Sequence, residues 1–126
     1  MGEIRPYICT SDARRAIDWY GDAMGAEVTE GPIVMDDGRF GHVELSFGGA
    51  RLMMSDAYPD LHVEPPAQGR GAAVTFYLTA DDVDALTARA VVAGAVLDRG
   101  PEESDHGRTA VFRDPFGHRW MLASLG

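Results

Sequence analysis

The sequence predicts an α+β fold made of two tandem β-α-β-β-β units that face each other across a cavity. Each half carries the same features in the same order: an acidic N-cap before a helix, a Gly-Ala pair after it, and a glycine that leads a short apolar strand. They are Ser11-Asp12, Gly25-Ala26 and Gly49 in the first half, and Asp81-Asp82, Gly94-Ala95 and Gly117 in the second. The offsets between the halves are 70, 69 and 68 residues, and so small a drift indicates two copies of one supersecondary unit.

The first unit covers about residues 3–55. Residues 4–10 are predicted to form a strand with Pro6 near its start, where a missing N–H is tolerated. Ser11 or Asp12 caps a helix whose apolar residues recur at helical spacing until Gly25 ends it. Three strands are predicted to follow, at 26–34, 40–47 and 50–55, with an Asp-Asp-Gly hairpin turn after the first of them.

Residues 56–71 contain three prolines and several polar residues, and are predicted to link the units. The second unit covers about residues 72–126. Its elements are predicted as a strand at 72–79, a helix at about 82–93, and strands at 95–98, 108–113 and 118–124. Because 126 residues suit one compact core, the whole chain is predicted to be a single domain.

Composition narrows the class of protein. The net charge of −9 argues against nucleic-acid binding, which needs a basic surface, and fits a cationic ligand weakly. No apolar run is long enough to span a bilayer, so no membrane partner is expected, and residues 1–6 lack the pattern of a signal peptide. The single cysteine, Cys9, excludes an internal disulfide framework and predicts a cytoplasmic protein.

Strand alternation predicts which side chains face the cavity. The apolar set of each strand packs on the helix, which leaves a mixed set on the other face, as a ligand cavity requires. The predicted cavity wall contains Arg5, Tyr7, His42, Glu44, Met53, Thr75, Tyr77, Phe112 and Met121.

Glu44 and His42 lie two residues apart on this face and allow two interpretations. In the functional one they bind a cationic group, act as acid and base, or hold a metal. In the structural one Glu44 pairs with Arg5 or Arg51, and His42 is partly exposed. His106 also has two interpretations, as a solvent-exposed loop residue or as one that enters the cavity from a loop. Trp19 lies outside the apolar face of the predicted helix and is expected to be exposed or at a subunit contact.

The two β-α-β-β-β units, the Trp19-Tyr20 pair, Met24-Gly25-Ala26 and the run from Asp114 to His118 (Asp-Pro-Phe-Gly-His) resemble the vicinal oxygen chelate superfamily. That group includes glyoxalase I, extradiol dioxygenases, and fosfomycin- and bleomycin-resistance proteins. The resemblance implies two small curved mixed sheets, each half-enclosing a cavity, and a homodimer.

Metal-bearing members of this superfamily carry four His, Gln or Glu ligands at pseudo-symmetric positions. The matching positions here are Arg5, Met53, Thr75 and Met121. Arginine has no lone pair to offer, and thioethers are poor ligands for hard divalent cations. The sequence therefore predicts no metal and no other cofactor.

The predicted function is metal-independent binding of an amphipathic small molecule, either uncharged or cationic, similar to that of bleomycin-resistance proteins. The alternative is a superfamily enzyme, a lyase, isomerase or dioxygenase. It would use either metal-free acid-base chemistry or a displaced metal site among His42, Glu44, His106 and His118. A third possibility is an interaction module with a filled cavity.

Overall fold

The computed structural model describes residues 2–105 and 107–125. The chain forms two compact units, residues 1–65 and 66–126. Each unit contains one helix on one four-stranded mixed sheet, so the predicted α+β fold of two β-α-β-β-β units is confirmed.

The first unit contains β1 (Tyr7–Cys9), α1 (Ala13–Met24), β2 (Glu27–Val34), β3 (Phe40–Phe47) and β4 (Ala50–Ser55). Its sheet order is β1-β4-β3-β2, in which β1 and β4 are parallel and the other neighbours antiparallel. The predicted bounds of β3 and β4 are confirmed, whereas β1 is shorter than predicted because it begins only after Pro6.

The second unit contains β5 (Thr75–Ala80), α2 (Val83–Val92), β6 (Val96–Ser104), β7 (Gly107–Arg113) and β8 (Arg119–Ser124). Its order, β5-β8-β7-β6, repeats that of the first sheet. Strand β6 is longer than the predicted 95–98, because the Gly100-Pro101 pair lies within register shifts between Leu97 and Glu102 and does not end the strand.

The two helices begin in the same way. The Asp12 carboxylate accepts a hydrogen bond from the Arg15 N–H, and the Asp82 carboxylate accepts one from the Ala85 N–H, both at 3.0 Å. Each bond satisfies one of the helix N–H groups that lack an intrahelical partner. The repeated capping residues in the sequence are therefore structurally equivalent.

The core of the first unit lies between α1 and one face of its sheet. Tyr20 on α1 is fully buried and packs edge-on against Phe47 on β3, with ring centroids 5.7 Å apart. Trp19 is also buried, and its ring contacts that of Tyr20 at 5.4 Å. The expectation that Trp19 is exposed is wrong, because it lies three residues after the buried Ala16 and so borders the packed face.

Part of the predicted linker is ordered within the first unit. Residues Pro59–Leu61 form a short 3-10 helix, and Tyr58 and Val63 form an isolated antiparallel bridge around it. We call residues 58–63 the linker turn. It supplies part of the candidate site.

Candidate functional site in the first unit

Strand register places three predicted cavity residues in one row. Tyr7 pairs with Met53, and Met53 pairs with Glu44, so all three side chains lie on the same face of the sheet. The neighbouring row, Ile8, Met54 and Val43, is buried on the opposite face. The alternation expected for these strands is therefore present in the structure.

Arg5 and Glu44 form an ion pair on this face. An Arg5 Nη1–H donates to Glu44 Oε1 at 2.5 Å, and Arg5 Nε–H donates to Glu3 Oε1 at 2.6 Å. Glu44 is only 3% exposed, and its second oxygen accepts a weak hydrogen bond from the Thr29 hydroxyl at 3.3 Å. Hydrogen bonding to Glu3, together with the charges of Glu3 and Glu44, raises the pKa of Arg5. The structure thus agrees with the structural interpretation of Glu44.

His42 is held through Tyr7. The Tyr7 hydroxyl donates to the backbone carbonyl of Gly41 at 2.6 Å, and His42 Nδ1 lies 3.1 Å from the same hydroxyl oxygen. The two rings meet edge-on, with centroids 5.4 Å apart. Burial, and to a lesser degree the nearby Tyr58, raises the pKa of Tyr7, so its hydroxyl stays protonated at neutral pH.

Tyr7 and His42 border a cleft of about 570 Å³ in the first unit. Its walls come from β1, β2, β3, the end of β4 and the linker turn. We call it the unit-one cleft. Nine of the residues that the structure describes line it: Tyr7, Ile33, Met35, Gly41, His42, Ser55, Tyr58, Leu61 and Val63. None of the nine is Asp, Glu, Lys or Arg, so the walls are mainly apolar with a few uncharged polar groups.

Tyr58 contributes an unsatisfied polar atom to this cleft. Within the described part of the chain its buried hydroxyl has no hydrogen-bond partner. The Arg39 guanidinium lies over the Tyr58 ring at 4.0 Å from its centroid, donates to the Ala57 carbonyl at 3.0 Å and pairs with Asp37. Arg39 therefore covers one face of the Tyr58 ring.

Gly41 leaves room for the side chain of Met35, which follows β2. A Cβ at this position would lie 2.9 Å from Met35 Sδ and 3.8 Å from the Tyr58 hydroxyl. A larger residue would push the flexible Met35 side chain aside and occupy part of the cleft that Gly41 lines, so the glycine keeps this volume open.

Most of the cleft walls were not predicted. Ile33 lies on the edge strand β2 and Met35 directly follows it, and Tyr58, Leu61 and Val63 lie in the segment predicted to link the units. The signal was the alternating apolar spacing of 61 and 63 beside Tyr58, which the surrounding prolines and polar residues obscured.

The second unit places its predicted wall residues on two different faces. Tyr77 pairs with Met121, and Thr75, two residues before Tyr77, accepts a hydrogen bond from Arg119 Nη1–H at 2.6 Å. Phe112, however, pairs with Trp120, and it is fully buried. Residues paired directly across two strands share a face, so Phe112 lies opposite Met121, and its predicted place beside Tyr77 and Met121 is wrong.

The residues at the metal-ligand positions that the resemblance implies do not fit a metal. Arg5 donates its hydrogens to two carboxylates, and Met53 and Met121 offer thioether sulfurs only. Among the described residues, no three His, Cys, Asp or Glu side chains are grouped so as to hold a metal ion. His118 lies beside the Phe76 ring at 6.1 Å, and His106 lies outside the described residues.

Within the described ranges, no helix is long and apolar enough to cross a membrane.

The chain is similar in sequence to a known superfamily and to curated proteins. The sequence model of the Glyoxalase/Bleomycin resistance protein/Dioxygenase superfamily matches residues 3–122. Among curated proteins, the uncharacterized protein Mb0911c of Mycobacterium bovis is 37% identical over 124 residues, which cover 94% of this chain and 80% of that protein.

Two solved structures are similar to this chain in both fold and sequence. TnmS3, an antibiotic binding protein from Streptomyces sp. CB03234, is 27% identical with a TM-score of 0.69, and the match covers 100% of this chain and 98% of TnmS3. The product of the Arabidopsis thaliana gene At5g48480 is 28% identical with a TM-score of 0.76, with 98% of each chain covered.

Proposed function

Since the chain belongs to the Glyoxalase/Bleomycin resistance protein/Dioxygenase superfamily, we propose that it is a metal-independent protein that binds a small molecule in the unit-one cleft. The observation that carries this proposal is the cleft itself, about 570 Å³ with mainly apolar walls and, among its described lining residues, no carboxylate, lysine or arginine. Such a volume and lining are typical of sites for drug-sized ligands. The likeness to TnmS3, which is described as an antibiotic binding protein, supports the same class of function.

The ligand of this proposal is neutral. Glu44, the buried carboxylate that an inner-face cation would need, already pairs with Arg5 and accepts from Thr29. A cationic ligand would have to displace the Arg5 guanidinium and would gain little over the pair that it broke. The acidic surface implied by the net charge of −9 supports solubility without selecting the guest.

The test is a titration with the neutral fluorescent probe N-phenyl-1-naphthylamine. We expect a saturable rise in probe emission with one site per chain, and no change in the mass of the recovered probe. Gly41→Val should weaken binding at least tenfold, because its side chain would occupy part of the cleft that Gly41 lines, between Met35 and Tyr58. Gly71→Val is the matched control, since a Cβ at Gly71 meets nothing within 4 Å. Absence of saturation, or equal binding by Gly41→Val, contradicts the proposal.

An enzymatic function remains the second candidate, and the Tyr7–His42 contact is the observation that favours it. A histidine oriented by a phenol at the edge of an apolar cleft is a suitable acid-base group. Conversion of a bound ligand to a product, lost in His42→Asn, would support this candidate over simple binding. For the version with a displaced metal site, elemental analysis of the native protein should find a stoichiometric transition metal.

The remaining proposals concern assembly and location. A homodimer is proposed from the family resemblance, and the exposed apolar side chains of the edge strand β2, which include Val28, Ile33 and Val34, support it. Light scattering that gives a monomer mass at micromolar concentration would contradict it. A cytoplasmic location is proposed because the chain has a single, buried, reduced cysteine.

A further inference from the structure

The position of one hydrogen in the unit-one cleft follows from its acceptors. The Gly41 carbonyl oxygen lies 2.6 Å from the Tyr7 hydroxyl oxygen and carries no hydrogen of its own. A contact this short between two oxygens requires a hydrogen between them, and the tyrosine has only one to give. The Tyr7 hydrogen therefore points to the Gly41 carbonyl.

The tautomer of His42 follows from this assignment. With its hydrogen used, Tyr7 can only accept at the 3.1 Å contact with His42 Nδ1, so Nδ1 must carry a hydrogen. In the neutral imidazole the other nitrogen, Nε2, then has a lone pair and no hydrogen. The Gly41 carbonyl on β3 thus sets the tautomer of His42 through the Tyr7 hydroxyl, which bonds to both groups.

The cleft around His42 offers few competing partners. Its remaining lining side chains are aliphatic or thioether groups, apart from the hydroxyls of Ser55, Tyr7 and Tyr58. The Ser55 hydroxyl donates to the Asp56 carbonyl at 2.9 Å, and the Tyr7 hydrogen is used as described above. The Tyr58 hydroxyl forms no hydrogen bond within the described part of the chain, so it does not occupy His42 Nε2. An apolar guest that buries the imidazole would leave Nε2 without a partner, at a cost of about 1–3 kcal/mol for such a group.

We propose that the unit-one cleft selects neutral, mainly apolar ligands that carry a hydrogen-bond donor, an O–H or N–H group, which His42 Nε2 accepts. This inference rests on the proposed binding function and specifies its ligand chemistry. Tyr7 is a positioning residue, because it acts on the ligand only through the tautomer of His42.

The tautomer can be measured without any ligand. Long-range ¹H–¹⁵N correlation spectra of the free protein distinguish Nδ1–H from Nε2–H imidazoles, and the His42 signals are identified by their loss in His42→Asn. We expect the Nδ1–H form in the native protein and a mixture of tautomers in Tyr7→Phe. A native His42 in the Nε2–H form overturns the inference.

Ligand selection is tested with three naphthalenes of nearly equal shape. 2-Naphthol has a donor and an acceptor, 2-methoxynaphthalene has an acceptor only, and 2-methylnaphthalene has neither. One net hydrogen bond corresponds to a preference of roughly three- to tenfold, so 2-naphthol should bind more tightly than both others by that factor, and these two should bind alike.

Two substitutions at His42 give a matched comparison. His42→Asn keeps an amide N–H near the Nδ1 position and lacks any acceptor at Nε2, so the preference for 2-naphthol should disappear. His42→Gln reaches the Nε2 position with an amide oxygen and should retain it. Equal binding of the three probes by the native protein, or an unchanged preference in His42→Asn, overturns the inference alone. Failure of all three probes to bind overturns the proposed function as well.

Discussion

The Arg5 guanidinium lies 2.5 Å from the carboxylate of Glu44, whose cross-strand neighbour on the same sheet face is Met53. A permanent cation is therefore built into the first strand region of this chain, and it neutralises a carboxylate that is 3% exposed. The pair explains both why a divalent ion does not fit here and why Glu44 is not available to a cationic guest.

Removing only Arg5 from this pair should lower the stability of the protein more than removing the charges of both Arg5 and Glu44. Arg5→Met leaves the buried Glu44 charge without its main partner, so the melting temperature should fall by roughly 5 °C or more. Arg5→Met combined with Glu44→Gln removes the charge as well and should recover most of that loss. The check is thermal unfolding followed by circular dichroism. If the double variant were as unstable as the sum of the two single variants, the pair would not be coupled as the structure indicates.

Loss of the hydroxyl should affect the free energy of unfolding differently at the two tyrosines of the cleft. Tyr58→Phe removes a buried hydroxyl that has no partner in the described chain, so it should leave the free energy of unfolding unchanged or raise it by about 1 kcal/mol. Tyr7→Phe removes the bond to the Gly41 carbonyl and the acceptor for His42, and should lower it by about 1 kcal/mol. Urea unfolding of the two variants measures both. A loss of stability in Tyr58→Phe would show that its hydroxyl is paired.

The buried thiol of Cys9 should make stability fall in alkaline solution. Burial, together with the charges of Asp56 and Glu64, raises the pKa of Cys9 to about 11. In the unfolded chain the thiol ionises near its ordinary value of about 8.5, so between about pH 9 and pH 11 the unfolded state loses a proton that the folded state keeps. The free energy of unfolding should therefore decrease with pH in that window, by up to about 1.4 kcal/mol per pH unit.

Cys9→Ala is the control for this pH dependence. Below about pH 7 the thiol is almost entirely neutral in both states, so the difference in stability between the two proteins should be constant there. From pH 9 upward the native protein should lose stability faster than the variant, as measured by urea unfolding at pH 8 and pH 10. Parallel pH profiles would mean that the Cys9 pKa is not raised by folding.

The stability of the turn between β7 and β8 should depend on the carboxylate of Asp114. Asp114 is buried and accepts hydrogen bonds from the backbone N–H groups of Phe116 and His118 and from the indole N–H of Trp120, at 2.9–3.0 Å. Asp114→Ala leaves three donors without this acceptor and should lower the free energy of unfolding by about 3 kcal/mol or more.

The matched control for this turn is Asp84→Ala. Asp84 pairs with Arg108 on the exposed surface, so its loss should change stability little. The two variants are compared by urea unfolding. An Asp114→Ala protein as stable as Asp84→Ala would contradict the proposed importance of the carboxylate in this turn.

The local parts of the fold were predictable from the sequence, because they depend on neighbouring residues. Asp12 and Asp82 cap the two helices through bonds to residues three positions ahead, and such a pattern is visible in the chain. In β3 one face is buried and the other mixed, so the alternation identified the row that contains Glu44.

The unpredicted parts depend on contacts between distant segments. Strand β7 has four consecutive buried residues, from Thr109 to Phe112, so both of its faces are covered and alternation could not decide where Phe112 points. The cleft wall from the linker turn was missed because Tyr58 and Val63 pair across a segment whose composition is that of a loop. The orientation of His42 depends on Tyr7, 35 residues away in the chain.

The central claim is that the first unit holds a neutral small molecule without a metal ion. The most direct measurement is a fluorescence titration of chelator-treated protein with N-phenyl-1-naphthylamine, run in parallel on the native chain and on Gly41→Val. We expect saturable binding of one probe per native chain, unchanged by added divalent metal, and binding at least tenfold weaker in the variant. Binding that appears only after metal is restored, or that is equal in both proteins, would contradict the claim.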